Sequence, residues 1–148
     1  MALAAPSSVA TRCIAWHAAA VAAKAAVAHA EALGLRVNVA VVDAAGTLAA
    51  FLRMPGAPLH SVEIAIDKAY TAASFGLATA RWTEVLAEHS PAVRQGLVQR
   101  PRFVAFGGGL PLREAGVLIG AIGVSGGSEE EDALIAAAGA AAIGLTSS

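Results

Sequence analysis

Cysteine occurs once in the 148 residues, at Cys13, which rules out an intrachain disulfide and a multi-cysteine zinc site. That usage fits a reducing cytoplasm. Charge is scarce as well: Asp, Glu, Lys and Arg make up 14% of the chain, against roughly 25% in a typical soluble domain. The net charge is −1 and the ten basic residues are scattered. Nothing therefore forms the electrostatic footprint of a nucleic-acid binder or a polybasic membrane patch. No apolar run reaches the roughly 20 residues that cross a bilayer. The stretch through Ala30 has the look of a secretory signal, but Arg12 follows the small residues and Lys24 breaks the run. No G-x-G-x-x-G opens a helix after a first strand, and neither a phosphate-loop lysine motif nor a G-x-S-x-G elbow occurs. These absences leave no nucleic-acid or membrane partner to expect, and they name no reaction.

Hydrophobic residues, many of them alanine, supply 57% of the chain. Small side chains permit close backbone approach, and the surplus of apolar surface implies burial against another copy, hence a homo-oligomer. The length suits one domain over residues 1–148, able to bury roughly 68–70% of its unfolded surface.

A first helix is expected from about Ser8 to Leu33, with Ile14, Ala18, Val21, Ala25, Ala28, Ala32 and Leu35 as its apolar stripe and Gly34 as its left-handed cap. Two β-rich runs follow, Val37 to Asp43 and Thr47 to Arg53, around a short glycine turn. After "MPGAPLH", Ser61 is expected to cap a helix from Val62 to Phe75 that Gly76 ends. Thr79 would cap a short helix from Ala80 to His89, and Ser90-Pro91 restarts a turn or one helical turn. A second hairpin turns at Ala115-Gly116, its nearly continuous apolar second arm marking a central strand. Ser128 and Glu131 form a capping box, and the acids from Glu129 to Asp132 suit the positive end of a last helix to about Ile143. The order α-ββ-αα-ββ-α, with hairpins in place of crossovers, defines an α+β fold: an antiparallel sheet covered by helices.

Candidate chemistry concentrates in "HSVEIAIDKAYTAA", His60 to Ala73. His60, Glu63 and Asp67 are spaced by three and four, which stacks them on one side of a helix. Two carboxylates four apart repel unless Lys68, Arg53, a protonated His60 or a metal offsets them. One imidazole and two carboxylates suit a divalent cation, so His60, Glu63 and Asp67 are the candidate metal ligands, although a plain solvated face accounts for them more simply. Of the other histidines, His17 and His29 lie on the alanine-rich helix and His89 ends a short one, as structural or solvated residues. Cys13 has no base fixed beside it, and "FGGGLPL" precedes a strand, so its glycines read as a tight loop rather than a phosphate cradle.

"VAVVDAAGTLAAFLRMPGA", "SVEIAIDKAYTAASF", "GGGLPL" and "GVLIGAIGVSGGSEEEDALIAAAG", from about Ile14 to Ile143, together resemble the GlcG/HbpS-like family, a domain also found at the C-terminus of some corrinoid adenosyltransferases. The resemblance implies a largely antiparallel five-stranded sheet, assembly as dimers or higher oligomers, and haem binding or assistance in haem degradation. Arg53, Glu63, Lys68, Thr71, Gly108 and Asp132 occupy positions of the family pattern; Glu63, Lys68 and Arg53 carry chemistry beyond turns and packing. This chain departs from the pattern at Pro55 and at His60, which adds an imidazole.

Two functions follow from the residues and the resemblance together, beside a blander role as a scaffold or operon accessory protein with no pocket of its own. In the first, a small molecule or haem is held by Arg53, His60, Lys68, Thr71 and Gly108, with His60 as iron ligand and Lys68 or Arg53 on the propionates. Such haem is noncovalent, because no C-x-x-C-H occurs. In the second, an isomerase, hydratase or decarboxylase uses His60 or Glu63 to move a proton, and Lys68 with Arg53 to hold an anionic substrate.

Overall fold

Alternation along the strands sets the two layers of this fold. In the computed structural model, which describes residues 4–145, β1 (Asn38–Asp43) turns Val39 and Val41 to one face and Ala40 and Val42 to the other. The termini of the single-domain expectation, residues 1–3 and 146–148, lie outside the described residues. Branched side chains fill the first face, beneath α1 (Trp16–Ala32) and α5 (Glu129–Ala142), with Leu112, Ile122 and Val124 from the neighbouring strands. Smaller residues line the second, where α2 (Ser61–Phe75) packs Ala65, Ala69 and Ala72 against Ala40, Val42 and Ala121.

The sheet has four strands in the order β2-β1-β4-β3, all antiparallel, with β2 at Leu48–Arg53, β3 at Gly109–Glu114 and β4 at Val117–Ser125. This corrects the expectation of five strands. The chain before α1 makes one backbone bond to the sheet, from the Ile14 amide to the Ile119 carbonyl at 2.8 Å, without forming a strand. β4 is central and buried from Ile119 onward, as its apolar run implied. The second hairpin turns where expected, with Ala115 at φ 51° and Gly116 at φ 78°.

Helix ends follow local chemistry in part. Gly34 and Gly76 cap α1 and α2 in the left-handed region, at φ 73° and 62°. Ser90 accepts from the Val93 amide to start α4 (Pro91–Leu97), and Ser128 with Glu131 completes the capping box. Three expectations fail. α1 starts eight residues late, at Trp16, and its buried face is Ala19, Ala22, Ala23, Ala26 and Ala30; Val21 is exposed. In so alanine-rich a helix, neighbouring faces differ too little in hydrophobicity to be told apart. Ser61 is not a cap but the buried first residue of α2, with His60 in the cap position. Thr79 begins a 3₁₀ turn (Thr79–Arg81) leading into α3 (Trp82–Ala87), and its hydroxyl accepts from the Gly109 amide at 2.9 Å.

Candidate functional site

Arg53, the last residue of β2, grips the loop that follows it. Its guanidinium donates to Asn38 Oδ1 at 3.2 Å and to the Ala57 carbonyl at 2.8 Å, while Asn38 Nδ2 donates to the Pro58 carbonyl at 3.3 Å. These bonds fix the proline-containing loop and deliver Leu59 and His60 to the N-terminus of α2. There Leu59, His60, Val62 and Glu63 line a groove of about 330 Å³. Leu59 is 78% exposed, an unusual position for a large apolar side chain. His60 makes no side-chain hydrogen bond at the helix start. An adjoining depression shares Glu63 and adds Ile66, Asp67 and Arg102.

The cation that offsets the acids of α2 is Arg102, absent from every set considered from the sequence. Its Nε donates to Asp67 Oδ1 at 3.1 Å, and the guanidinium stacks 3.6 Å from the Tyr70 ring centroid. Among the described residues no three His, Cys, Asp or Glu side chains are grouped to hold a metal. The expected set of His60, Glu63 and Asp67 is therefore not assembled: Asp67 is turned to Arg102.

Lys68 lies on the other side of α2, on the stripe that includes Ala65 and Ala72. It is 1% exposed, and its Nζ donates to Asp132 Oδ2 at 3.0 Å and to the Val124 carbonyl at 2.8 Å, 5.1 Å from the Phe106 ring centroid. Asp132, itself buried, also accepts from the Gly127 amide at 2.9 Å. Burial pushes the Lys68 pKa below its ordinary value, with Asp132 offsetting part of the shift. Burial likewise pushes Asp132 upward, against the pull of Lys68 and the Gly127 amide. Both shifts reflect the cost of holding charge in the interior, where the pair clamps α2 to α5.

Glycines seal this clamp. At Gly108, φ is 128° and an added Cβ would lie 2.6 Å from Lys68 Nζ; at Gly109 it would lie 2.5 Å from the Lys68 carbonyl. The triple glycine is thus a close-packed loop. Thr71, also buried, donates to the Arg102 carbonyl at 2.9 Å and accepts from the Val104 amide at 3.1 Å.

The structure brings His60 and Glu63 to one groove and places Lys68, Thr71 and Gly108 beneath the surface. The set of His60, Glu63 and Lys68 does not share a pocket within the chain. Sequence reasoning placed Asp132 in the family pattern but missed it as the partner of Lys68, because a capping box already explained the acidic run. The available signal was Lys68 itself, one position from the buried Ala69, where a lysine requires a buried acid.

The profile of the family described as haem-degrading protein, HbpS-like, matches residues 14–141. The chain belongs to this family. Corrinoid adenosyltransferase PduO of Salmonella typhimurium is 41% identical over 124 residues, which cover 82% of this chain but 36% of the transferase. The chain thus spans about a third of that relative's length. The Klebsiella pneumoniae protein ORFY superposes with a TM-score of 0.86 at 32% identity, over 94% of this chain and 96% of its own. The PduOC:haem complex superposes with a TM-score of 0.83 at 38% identity, over 91% and 98%. Among the described residues, no helix is long and apolar enough to cross a membrane.

Proposed function

We propose that the protein binds haem noncovalently at the His60 groove, as a homo-oligomer. The observation that carries this reading is an exposed imidazole, unengaged at the start of α2, beside the exposed Leu59 and the apolar Val62. A neutral imidazole is a common axial ligand to haem iron, and aliphatic side chains suit the face of the macrocycle. Arg53 uses two donors of its guanidinium, one on Asn38 of β1 and one on the loop carbonyl of Ala57, leaving others for a propionate. Lys68 plays no part in this contact, being committed to Asp132. Similarity to a domain solved as a haem complex supports the same ligand class. When bound, haem supplies iron-centred redox or oxygen chemistry; the chain's residues bind and orient it.

Hemin titration followed by absorption tests the reading. The expected result is a saturable Soret shift in the wild type that is lost or strongly altered in His60→Ala. An unchanged shift in that variant, or its loss in His17→Ala instead, overturns the assignment to His60.

A further inference from the structure

A separate cavity of about 180 Å³ lies along the C-terminal half of α2, where Tyr70, Ser74 and Phe75 face Arg100, Arg102 and Phe103. Its volume is comparable with the roughly 150 Å³ engineered cavity that holds a benzene ring. Phe75 and Phe103 stand edge to face with centroids 5.8 Å apart. Both close on the buried Trp82, at 4.8 and 4.9 Å. The three rings brace one another, giving the cavity a firm aromatic wall.

The charge of the lining has one sign. Among the described residues no acidic side chain borders the cavity, whereas Arg100 and Arg102 both do. Arg100 forms no ion pair among the described residues. Arg102 spends Nε on Asp67, and its two terminal nitrogens donate to no described residue. Arg102 is shared with the acids of α2, whereas Arg100 is offset by no acid among the described residues and leaves its positive charge to the cavity.

The backbone at the rim is held against its preference. Arg102 has φ 65°, a conformation that a residue with a Cβ seldom adopts. Thr71 fixes it, by donating to the Arg102 carbonyl and accepting from the Val104 amide two residues on. Strain of this kind persists where the surroundings over-determine it, commonly at ligand clamps.

We propose that this cavity binds a small aromatic monocarboxylate, its ring against Phe75 and Phe103 and its carboxylate on Arg100 and the terminal nitrogens of Arg102. Planar guanidinium groups match a carboxylate in geometry and charge. Thr71 acts here as a positioning residue. The site shares no lining residue with the His60 groove and stands independently of haem.

Benzoate is the probe. The chain has two tryptophans, so Trp16→Phe leaves Trp82 as the sole reporter beside the cavity wall. The expected result is a saturable change in Trp82 emission with benzoate, absent with sodium chloride at matched ionic strength. Benzamide, similar in shape but uncharged, binds at least about tenfold more weakly, the loss expected for a charge-assisted contact. Arg100→Gln weakens benzoate by a similar factor and leaves benzamide unchanged, and His60→Ala alters neither. Saturation-transfer NMR on the unsubstituted chain reads the same event without fluorescence, as transfer to the benzoate ring protons. Absence of that transfer, or equal affinities for benzoate and benzamide, overturns the proposal.

Discussion

A single lysine shows how residue-scale energetics separate clamp from ligand site. Lys68 and Asp132 are both almost fully buried, and each satisfies the other. Removing one partner strands a charge, so Asp132→Asn is expected to lower unfolding free energy by about 3–5 kcal/mol, measured by urea denaturation. Replacing both, as Lys68→Met with Asp132→Leu, restores most of that loss, because a well-packed apolar pair has no charge to desolvate. The pH dependence follows in sign. Burial already holds the Lys68 pKa below 10.5, and losing Asp132 removes the main opposing influence, so it falls further in Asp132→Asn. In the unfolded chain the lysine stays protonated up to about 10.4. Between the depressed folded value and that one, the unfolded state binds more protons, so the variant's stability rises with pH. A variant whose stability falls over that range contradicts the buried, unpaired ammonium. The partnership was illegible locally, since 64 residues separate the two side chains.

At the scale of elements, small residues decide how closely α2 approaches the sheet. An added Cβ at Gly123 would lie 2.1 Å from the Ala65 carbonyl and 2.5 Å from the Ala69 amide. Backbone has to move to admit it, so Gly123→Ala is expected to cost about 1–3 kcal/mol, and thermal unfolding checks this. Gly116, open to solvent, has no atom within 4 Å of an added Cβ; replacing it tests turn conformation alone. Hairpins and glycine caps were legible because their determinants are contiguous in sequence: Ala115-Gly116, Gly34 and Gly76 act within one turn. The facing of α1 was not, because a run of alanines offers several equivalent stripes and tertiary contacts choose among them. Nor was the strand count, because the chain at Ile14 makes a single backbone bond to Ile119 of β4 and does not extend it into a strand.

For the whole molecule, the layer order followed from the pattern of elements, while the assembly of the site depended on contacts between distant segments. Arg102 reaches Asp67 from 35 residues away and replaces the cations nearer in sequence. The exposed apolar residues bear on assembly. β2 forms one edge of the sheet, with Leu48 47% and Leu52 37% exposed, an edge that a second copy could cover. Light scattering is expected to give a multiple of the 14.7 kDa chain mass and a smaller species for Leu52→Lys; a monomeric wild type contradicts assembly. The central claim, that His60 ligates haem iron, is tested most directly by electron–nuclear double resonance of the ferric hemin complex with ¹⁵N-histidine label. The wild type is predicted to show hyperfine coupling from one imidazole nitrogen that His60→Ala lacks. Coupling that survives in His60→Ala, or is absent from the wild-type complex, contradicts it.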